Sequence, residues 1–305
     1  MKHPILTSLT LLAAASLTAC PCGCMRTSVD TLPERTLGAG STWSVDVRHD
    51  SIDQNERNDG EHAHFVGKHR YDTVTIESHV GDTTWSLSLP RIERIISTNM
   101  AAPATNTTQS YSGLSDASLT ARFGWQGFTV TAGAKLPTGE SDRTLNIPRR
   151  YLQLGTGSTD IILGLRKDIT SAGSAFGSFA QIGAQIPVAY DETFRPGATL
   201  DAALGFRLKL NEELTLAAQA SATRQFRDSN TMGQVDATYA YDSETSMLST
   251  AYTTGLIWTP NDKTRVYIHI SEPLHTKNYA LDSAGAAINP VHASSTVSIG
   301  VTRQF

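Results

Sequence analysis

The amino-acid sequence predicts an all-β protein, a membrane-spanning antiparallel up-and-down β-barrel of about twelve strands. Three observations predict this fold. Short segments alternate between apolar and polar residues, the connections between them alternate between long and short, and the last strand ends on an aromatic residue. Hydrophobic residues make up 39% of the chain and the mean hydropathy is -0.22, which is too polar for membrane helices. A barrel strand exposes only every second residue to lipid, so this composition suits a barrel.

Long polar stretches and tight turns alternate along the chain after the first predicted strand. The long stretches are residues 50–68, 97–113, 137–157, 190–197, 227–245 and 272–294, and the turns are at 81–82, 126–127, 168–174, 211–212 and 260–263. A membrane barrel has short turns at one end and longer loops at the other. A soluble β-sandwich has no reason to sort its loops in this way, so the alternation favours the barrel.

The predicted strands lie between these connections and show one apolar face each. They are residues 41–49, 69–80, 83–96, 114–125, 128–136, 158–167, 175–188, 198–210, 214–226, 246–258, 264–271 and 295–305. In the fifth strand, for example, Phe128, Val130, Ala132, Ala134 and Leu136 share a face. Such faces are expected to contact lipid, with aromatic rings near the strand ends at the membrane interfaces.

The last strand indicates the orientation of the barrel. Val297, Ile299, Val301 and the terminal Phe305 share one face. This strand resembles the signal by which the barrel assembly machinery recognises outer-membrane barrels. The resemblance implies a bacterial outer-membrane location, with outer-membrane lipid as a partner and the C-terminus at the periplasmic end. An even number of strands brings the N-terminal end of the barrel to the same side.

The N-terminus has the pattern of a targeting segment. Lys2 and His3 precede an apolar run from Ile5 to Leu17, which is too short to span a bilayer as a helix and suits a signal peptide. The residues around position 20, Leu-Thr-Ala-Cys, resemble a lipoprotein cleavage site, which implies that Cys20 carries lipid. Ordinary cleavage is the alternative. We therefore divide the chain into a signal peptide, 1–19, a periplasmic tether, 20–40, and a barrel, 41–305.

The three cysteines, Cys20, Cys22 and Cys24, all lie in the tether. If Cys20 carries lipid, Cys22 and Cys24 remain, and the simplest interpretation is a local disulfide or a further modification. Soft-metal binding is the alternative, but two sulfur ligands do not complete a site. We predict neither a metal site nor a cofactor.

The inward faces of the predicted strands carry charges of both signs. Two interpretations remain open: the charges form ion pairs that fill the interior, or they line a path for solutes. Twelve strands enclose a space between the packed interior of eight-stranded barrels and the channel of sixteen-stranded ones. The candidate lumen-lining residues are Arg122, Lys135, Arg166, Gln181, Gln185, Arg207, Lys209 and His269.

Three glycine-containing segments carry a resemblance to a known family. They are Gly-Leu-Ser-Asp at 113–116, the strand at 129–135 with the following Leu-Pro-Thr-Gly-Glu at 136–140, and Leu-Gly-Thr-Gly-Ser-Thr-Asp at 154–160. Together they resemble the outer-membrane barrel family linked to the meta pathway of phenol degradation, from about residue 110 to the C-terminus. The resemblance implies a barrel that passes small aromatic or other apolar compounds. Pro137 with Gly139 is expected to end a strand, and Gly155 with Gly157 to permit a bend.

Other functional classes fit the sequence less well. His292 and Ser294 have the spacing of a pair on one strand face, as in barrel lipid hydrolases, but the residues that follow do not match the hydrolase motif. The 25 basic and 29 acidic residues are mixed along the chain, which argues against binding of nucleic acid. We therefore expect a non-enzymatic barrel for passive transport of small-molecule solutes. A structural or sensory lipoprotein barrel with a plugged lumen is the alternative, and a lipid hydrolase is the least favoured.

Overall fold

The computed structural model describes residues 42–56, 64–99, 106–141, 153–170, 174–190, 194–226, 229–230, 244–281, 287–288 and 295–305. The predicted signal peptide and tether, including all three cysteines, lie outside these residues, as do Asp59, His292 and Ser294. Within the described ranges, no helix is long and apolar enough to cross a membrane.

The described elements are strands. They are β1 (Trp43–Glu56), β2 (His64–Val80), β3 (Thr83–Asn99), β4 (Asn106–Leu114), β5 (Ala117–Trp125), β6 (Phe128–Leu136), β7 (Thr159–Thr170), β8 (Phe176–Ala189), β9 (Phe194–Arg195), β10 (Thr199–Lys209), β11 (Leu214–Gln225), β12 (Ser229–Asn230), β13 (Glu244–Asn261), β14 (Thr264–Leu281), β15 (Ala287–Ile288) and β16 (Thr296–Gln304). Each barrel strand pairs with its neighbours in antiparallel fashion. The pairing of β1 with β16 closes the sheet.

The barrel has twelve strands because β4 and β5 occupy one position in it. Both pair with β3, β4 along Arg91–Asn99 and β5 along Thr83–Ser88, with Ser115 and Asp116 between them. The strands β9, β12 and β15 have two residues each and are not counted among the twelve barrel strands. The predicted fold class and strand number are confirmed.

The two faces of each strand differ as the alternation predicts. In β16 the outward residues Val297, Ile299 and Val301 are exposed, whereas Thr302 and Gln304 face inward and are buried. The ring of Phe305 stacks on the ring of Trp43, with centroids 4.2 Å apart, where the first and last strands meet. The terminal aromatic residue therefore contributes to closure of the barrel at the end that carries the short turns. We call this the turn end and the opposite one the loop end.

Several strands extend further toward the loop end than the sequence predicts. The strand β2 begins at His64 instead of residue 69, and β14 continues to Leu281 instead of ending at 271. On β2 and β3 the unbroken run of outward apolar residues ends at Val74 and Leu89, and charged residues follow at the next two outward positions. The hydrophobic alternation ends where the lipid-facing belt ends, whereas the hydrogen-bonded sheet continues beyond it.

The charged outward residues beyond this belt pair across strands. The Arg91 guanidinium lies 3.4 Å from the Asp72 carboxylate, and that of Arg70 lies 3.3 Å from Glu93. All four residues are on the outer face of β2 and β3, beyond the last apolar row. Charge on the outer surface indicates contact with water or lipid headgroups, so the inward residues at this level lie beyond the hydrocarbon layer.

Among the described residues, two groups of buried apolar side chains lie inside the barrel. The turn-end cluster contains Phe179, Ala217, Ile257 and Tyr267. The loop-end cluster contains Ile52, Tyr71, Ile92 and Leu154, with Tyr111 packed against it. The first three of these come from β1, β2 and β3, but Leu154 comes from the segment before β7. The chain before β7 therefore turns into the barrel and packs against the wall formed by β1 to β3.

Candidate functional site

The eight predicted lumen residues separate into two groups and three further positions. One group forms around Lys135, which is 2% exposed. Its ammonium lies 2.9 Å from the Asp160 carboxylate and 3.4 Å from that of Asp116. We call these residues the Lys135 node, which contains Asp116, Lys135, Thr156, Ser158, Asp160 and Gln185.

Hydroxyl and amide groups complete the Lys135 node. Lys135 donates to the hydroxyls of Thr156 and Ser158, and these hydroxyls donate in turn to Asp116 and Asp160, each over 2.6 Å. The Gln185 amide donates to Asp160 over 2.5 Å. Every charged group of the node thus has hydrogen-bond partners and an opposite charge, the condition under which buried ions are tolerated.

The node also fixes the segment before β7. The backbone N–H groups of Gly139 and Thr156 donate to the two oxygens of Asp116, over 3.1 and 2.8 Å. A Cβ at Gly155 would lie 2.5 Å from the Gly139 carbonyl oxygen, so the two chain segments approach closely only because both residues are glycine. Gly157 has a φ of 67°, as the predicted bend requires. Gly155 allows the close contact with Gly139, and the bend itself is at Gly157.

A second group surrounds Phe179 at the turn end. Arg166 donates to Asp168 over 2.8 and 2.7 Å, and its guanidinium lies 4.0 Å from the centre of the Phe179 ring. Arg207 lies 5.5 Å from the same ring and 3.7 Å from Asp168. Gln181 accepts from Arg166 over 3.4 Å. The two arginines share one carboxylate and one aromatic face.

The remaining predicted residues differ from one another. Arg122 pairs with the buried Glu77 at 2.6 Å and is 29% exposed. Lys209 is exposed near a turn, outside these groups. His269 is buried, and its ring stacks on that of Tyr267 with centroids 4.9 Å apart.

Inward aromatic rings lie over glycines on neighbouring strands. Phe179 is paired with Gly205, His269 with Gly255 and Tyr267 with Gly300. A Cβ at any of these glycines would lie 2.4 Å or less from a ring atom. The glycines thus allow the rings to lie flat along the inner wall, where they fill space that longer side chains would otherwise occupy.

A buried cation that the sequence-based selection omitted lies at the loop end. Arg94 on β3 is 1% exposed and follows Ile92 on the inward face. Its Nε and Nη2 atoms are buried and have no hydrogen-bond partner among the residues that the structure describes. This is unlike the predicted cations Lys135, Arg122 and Arg166, each of which pairs with a carboxylate.

The neighbours of Arg94 are aromatic or apolar. In the register, Arg94 pairs with His69 on β2 and Tyr111 on β4, and Ile92 pairs with Tyr71. His69 is buried beyond the lipid belt, and burial, followed by the charge of Arg94, lowers the pKa of its imidazole to about 3. His69 is therefore neutral at physiological pH and adds no charge to the surroundings of Arg94.

The Lys135 node positions Leu154 next to this region. A Cβ at Gly113, the residue paired with Ile92, would lie 2.7 Å from Leu154 Cδ1, so Leu154 packs directly over this glycine. The Ser115 hydroxyl donates to the Leu154 carbonyl oxygen over 2.5 Å. The segment that the node holds thus covers part of the loop-end cluster with an apolar side chain.

Comparison with solved structures identifies proteins that are similar to this chain in fold. The "COG4313 outer membrane channel from Pseudomonas putida F1" superimposes with a TM-score of 0.64 at 13% identity, covering 90% of this chain and 99% of that one. The β domain of the Bordetella autotransporter BrkA has a TM-score of 0.49 at 9% identity, covering 87% and 100%. The CymD monoaromatic hydrocarbon channel has 0.43 at 9% identity, covering 87% and 89%. Only the first score is high enough to carry an argument, and at this identity it shows the fold.

Sequence comparison finds no family model and no curated protein that matches the chain. The link to phenol degradation therefore stays a prediction. Among the described residues, no group of three or more His, Cys, Asp or Glu side chains is arranged to hold a metal ion.

A sequence signal for Arg94 existed in the alternation of β3. Thr84, Ser86, Ser88 and Ile92 share its face, so period two places Arg94 inward. The absence of a carboxylate partner for Arg94 among the described residues depends on contacts across strands and had no signal in the sequence. The same holds for Leu154, because a loop residue has no strand register from which to infer its direction.

Proposed function

We propose that this barrel lies in the bacterial outer membrane, with both termini periplasmic, and passes small apolar or aromatic solutes by diffusion. The proposal is supported by a closed twelve-strand barrel whose inner wall combines buried polar groups with apolar and aromatic patches. The similarity of fold to an outer-membrane channel supports it further.

The loop-end cluster is the observation that carries the choice of solute class. Ile52, Tyr71, Ile92 and Leu154, with Tyr111 packed against them, form a buried apolar cluster inside the barrel, beyond the lipid belt, at the end where solutes from outside would arrive first. A path built only for ions has no need of such a surface, because a fully hydrated charge gains little from apolar contacts. The eight residues predicted to line the lumen remain part of the proposal, with Arg122, Arg166 and Arg207 as basic groups along the inner wall.

The second candidate is a structural or sensory lipoprotein barrel with a plugged lumen. The paired state of the predicted cations favours it, since Lys135, Arg122 and Arg166 are each neutralised by carboxylates. The turn-end cluster also packs Phe179, Ala217, Ile257 and Tyr267 to 5% exposure or less. Such packing narrows the interior at the end opposite the loops.

Uptake into proteoliposomes separates these two candidates. The folded barrel is reconstituted, and the permeation of benzyl alcohol, toluene and glucose is measured against empty liposomes. The channel proposal expects faster permeation of the two aromatic solutes than of glucose. No permeation of any solute through a barrel that migrates as folded on a heat-modifiability gel favours the plugged candidate.

Lipidation of Cys20 and a topology with long loops outside are separate parts of the proposal. Mass spectrometry of the mature N-terminus tests the first, and an unmodified terminus at any other residue rules it out. Tag labelling on intact cells tests the second. A tag at Ser141, at the loop end, is expected to be accessible, and one at Asn211, in a turn, is expected to be protected.

We also propose that the barrel is not an enzyme. The fold is shared with a protein described as a channel. Release of fatty acid from outer-membrane phospholipid by the purified barrel, abolished by Ser294→Ala, would contradict this.

A further inference from the structure

Arg94 is a permanent charge in an enclosed and largely apolar place. Arginine stays protonated at every pH that a protein survives, so the fold cannot neutralise it by releasing a proton. A buried charge without a counter-charge is costly, and proteins retain such groups mainly where a ligand or a reaction uses them. At 1% exposure, with Nε and Nη2 unpartnered among the described residues, Arg94 meets this description.

The described carboxylates nearest to Arg94 pair with other cations. Glu93, its neighbour in sequence, points outward and pairs with Arg70. Asp50, the inward carboxylate in the adjacent row of the sheet, accepts a hydrogen bond from Arg48 over 2.9 Å. His69, in register with Arg94, is neutral. Among the residues that the structure describes, Arg94 is therefore the one positive charge at this site that no carboxylate compensates.

The apolar residues beside Arg94 restrict the body of such a ligand. Ile92 precedes it on the same face, and Ile52, Tyr71 and Leu154 pack with Ile92 in the loop-end cluster. A guanidinium fork matches the two oxygens of a carboxylate, and aromatic and aliphatic walls match a ring or a short chain. One positive charge in such surroundings favours a monoanion over a dianion, because the second charge would lack compensation.

We infer that Arg94 and the loop-end cluster form a binding site for monocarboxylates with an apolar body, such as benzoate, at the outer end of the lumen. This inference rests on the proposed function and names the solute class for which the channel is selective. Arg94 binds the carboxylate, and the ring enters among Ile52, Tyr71, Ile92 and Leu154, which move apart to admit it because each is 7% exposed or less in this structure. The site lies beyond the lipid belt, so it takes up the anion before the solute reaches the paired charges of the inner wall.

Equilibrium binding tests the site apart from transport. Binding of benzoate to the purified barrel in detergent micelles is measured by isothermal titration, for the wild type, Arg94→Met and Arg91→Met. Arg91 is the matched control, since it is on the same strand, carries the same charge and is 51% exposed on the outer face. We expect Arg94→Met to weaken benzoate binding about tenfold or more, the loss typical of a charged hydrogen bond, and Arg91→Met to leave it unchanged.

Permeation in proteoliposomes extends the test to selectivity. Benzoate, benzyl alcohol and phenyltrimethylammonium share a ring and differ in charge. We expect the wild type to favour benzoate over the cation, and Arg94→Met to lose this preference while benzyl alcohol permeates as before. Failure of all three to permeate contradicts the proposed function, and the titration still decides the site.

Two results overturn the inference. The first is wild-type binding of benzoate that Arg94→Met retains in full. The second is the absence of benzoate binding to a folded wild-type barrel, which leaves Arg94 as a structural residue solvated by water. Inorganic phosphate in the same titration distinguishes a carboxylate site from general attraction of anions: equal affinity for both contradicts the role of the apolar cluster.

Discussion

Lys135 and Arg94 are two equally buried cations on the inner wall of the same barrel, and their surroundings are opposite. Lys135 has two carboxylates and two hydroxyls within hydrogen-bonding distance. Arg94 has atoms without any partner among the described residues, next to an apolar cluster. The positive charge of Lys135 is part of the construction of the barrel, whereas that of Arg94 is available to a solute.

The comparison shows that charge inside a barrel is not by itself a functional lining. The Lys135 node stabilises a chain segment, since Asp116 accepts from the backbone of Gly139 and Thr156. The same segment carries Leu154 to the loop-end cluster beside Arg94. Lys135 thus helps to hold the segment that places Leu154 in the apolar cluster beside Arg94.

The largest expected effect comes from removal of the paired cation. In Lys135→Met, the carboxylates of Asp116 and Asp160 remain buried without their counter-charge, so we expect the free energy of unfolding to fall by about 3–5 kcal/mol. Urea unfolding of the barrel in lipid vesicles measures the change. Lys209→Met, at an exposed lysine, is the control and should stay within about 0.5 kcal/mol of the wild type. Equal midpoints for the two variants would contradict the structural role of the node.

A smaller loss is expected where two chain segments touch at glycine. In Gly155→Ala, the new Cβ would lie 2.5 Å from the Gly139 carbonyl oxygen, so the segment before β7 must move. We expect a loss of about 1–3 kcal/mol, together with looser packing of Leu154. Gly124→Ala is the matched control, because no atom lies within 4 Å of a Cβ there. The same unfolding assay applies, and a Gly155 variant as stable as the control would mean that the contact is not rigid.

Removal of Arg94 is expected to change the free energy of unfolding in the opposite direction. Arg94→Met removes a buried charge without leaving another one uncompensated, so we expect stability to be unchanged or raised by about 1 kcal/mol. A clear loss of stability in this variant would mean that Arg94 has a structural partner. Together with Lys135→Met, this measurement tests the comparison directly, because both changes replace a buried cation by the same apolar side chain.

The last effect, absent at neutral pH and growing as the pH falls, concerns protonation of His69. Burial, with the Arg94 charge as the second cause, lowers its pKa from 6.5 to about 3. The unfolded chain therefore binds a proton below pH 6.5 that the folded barrel does not, and this destabilises the fold increasingly as the pH falls from 6.5 to about 3. Above pH 6.5 both states are neutral and the contribution is absent. His69→Gln should flatten this part of the pH dependence of urea unfolding.

The fold was predictable because every barrel strand follows the same pattern, in which apolar outward residues alternate with inward residues. Alternation and loop parity located the twelve strands, and β6 has the predicted bounds, 128–136. The ends near the loops were not predictable by the same rule, as the extension of β2 to His64 shows, because outward residues become charged beyond the lipid belt while the sheet continues.

The site was predictable only in part. The alternation of inward and outward residues along a strand indicates which residues point inward. Lys135, Arg166 and Arg207 were candidates because they are charged residues at inward positions. The alternation does not indicate which inward charges find partners, since the contacts of Lys135 come from the link between β4 and β5, from the segment before β7 and from β7 itself. The neighbours of Arg94 in the register, His69 on β2 and Tyr111 on β4, carry no carboxylate. No local sequence pattern predicts which residues will face Arg94 across the strands.

Diffraction from crystals soaked in para-bromobenzoate tests the central claim most directly, because bromine gives an anomalous signal that locates the ligand without reference to the protein. We expect one peak at the loop-end cluster, within contact distance of Ile92 and Leu154, with the carboxylate on the Arg94 guanidinium and no ligand at the Lys135 node. A map without a peak beside Arg94, in which a protein carboxylate bonds its guanidinium instead, would contradict the claim.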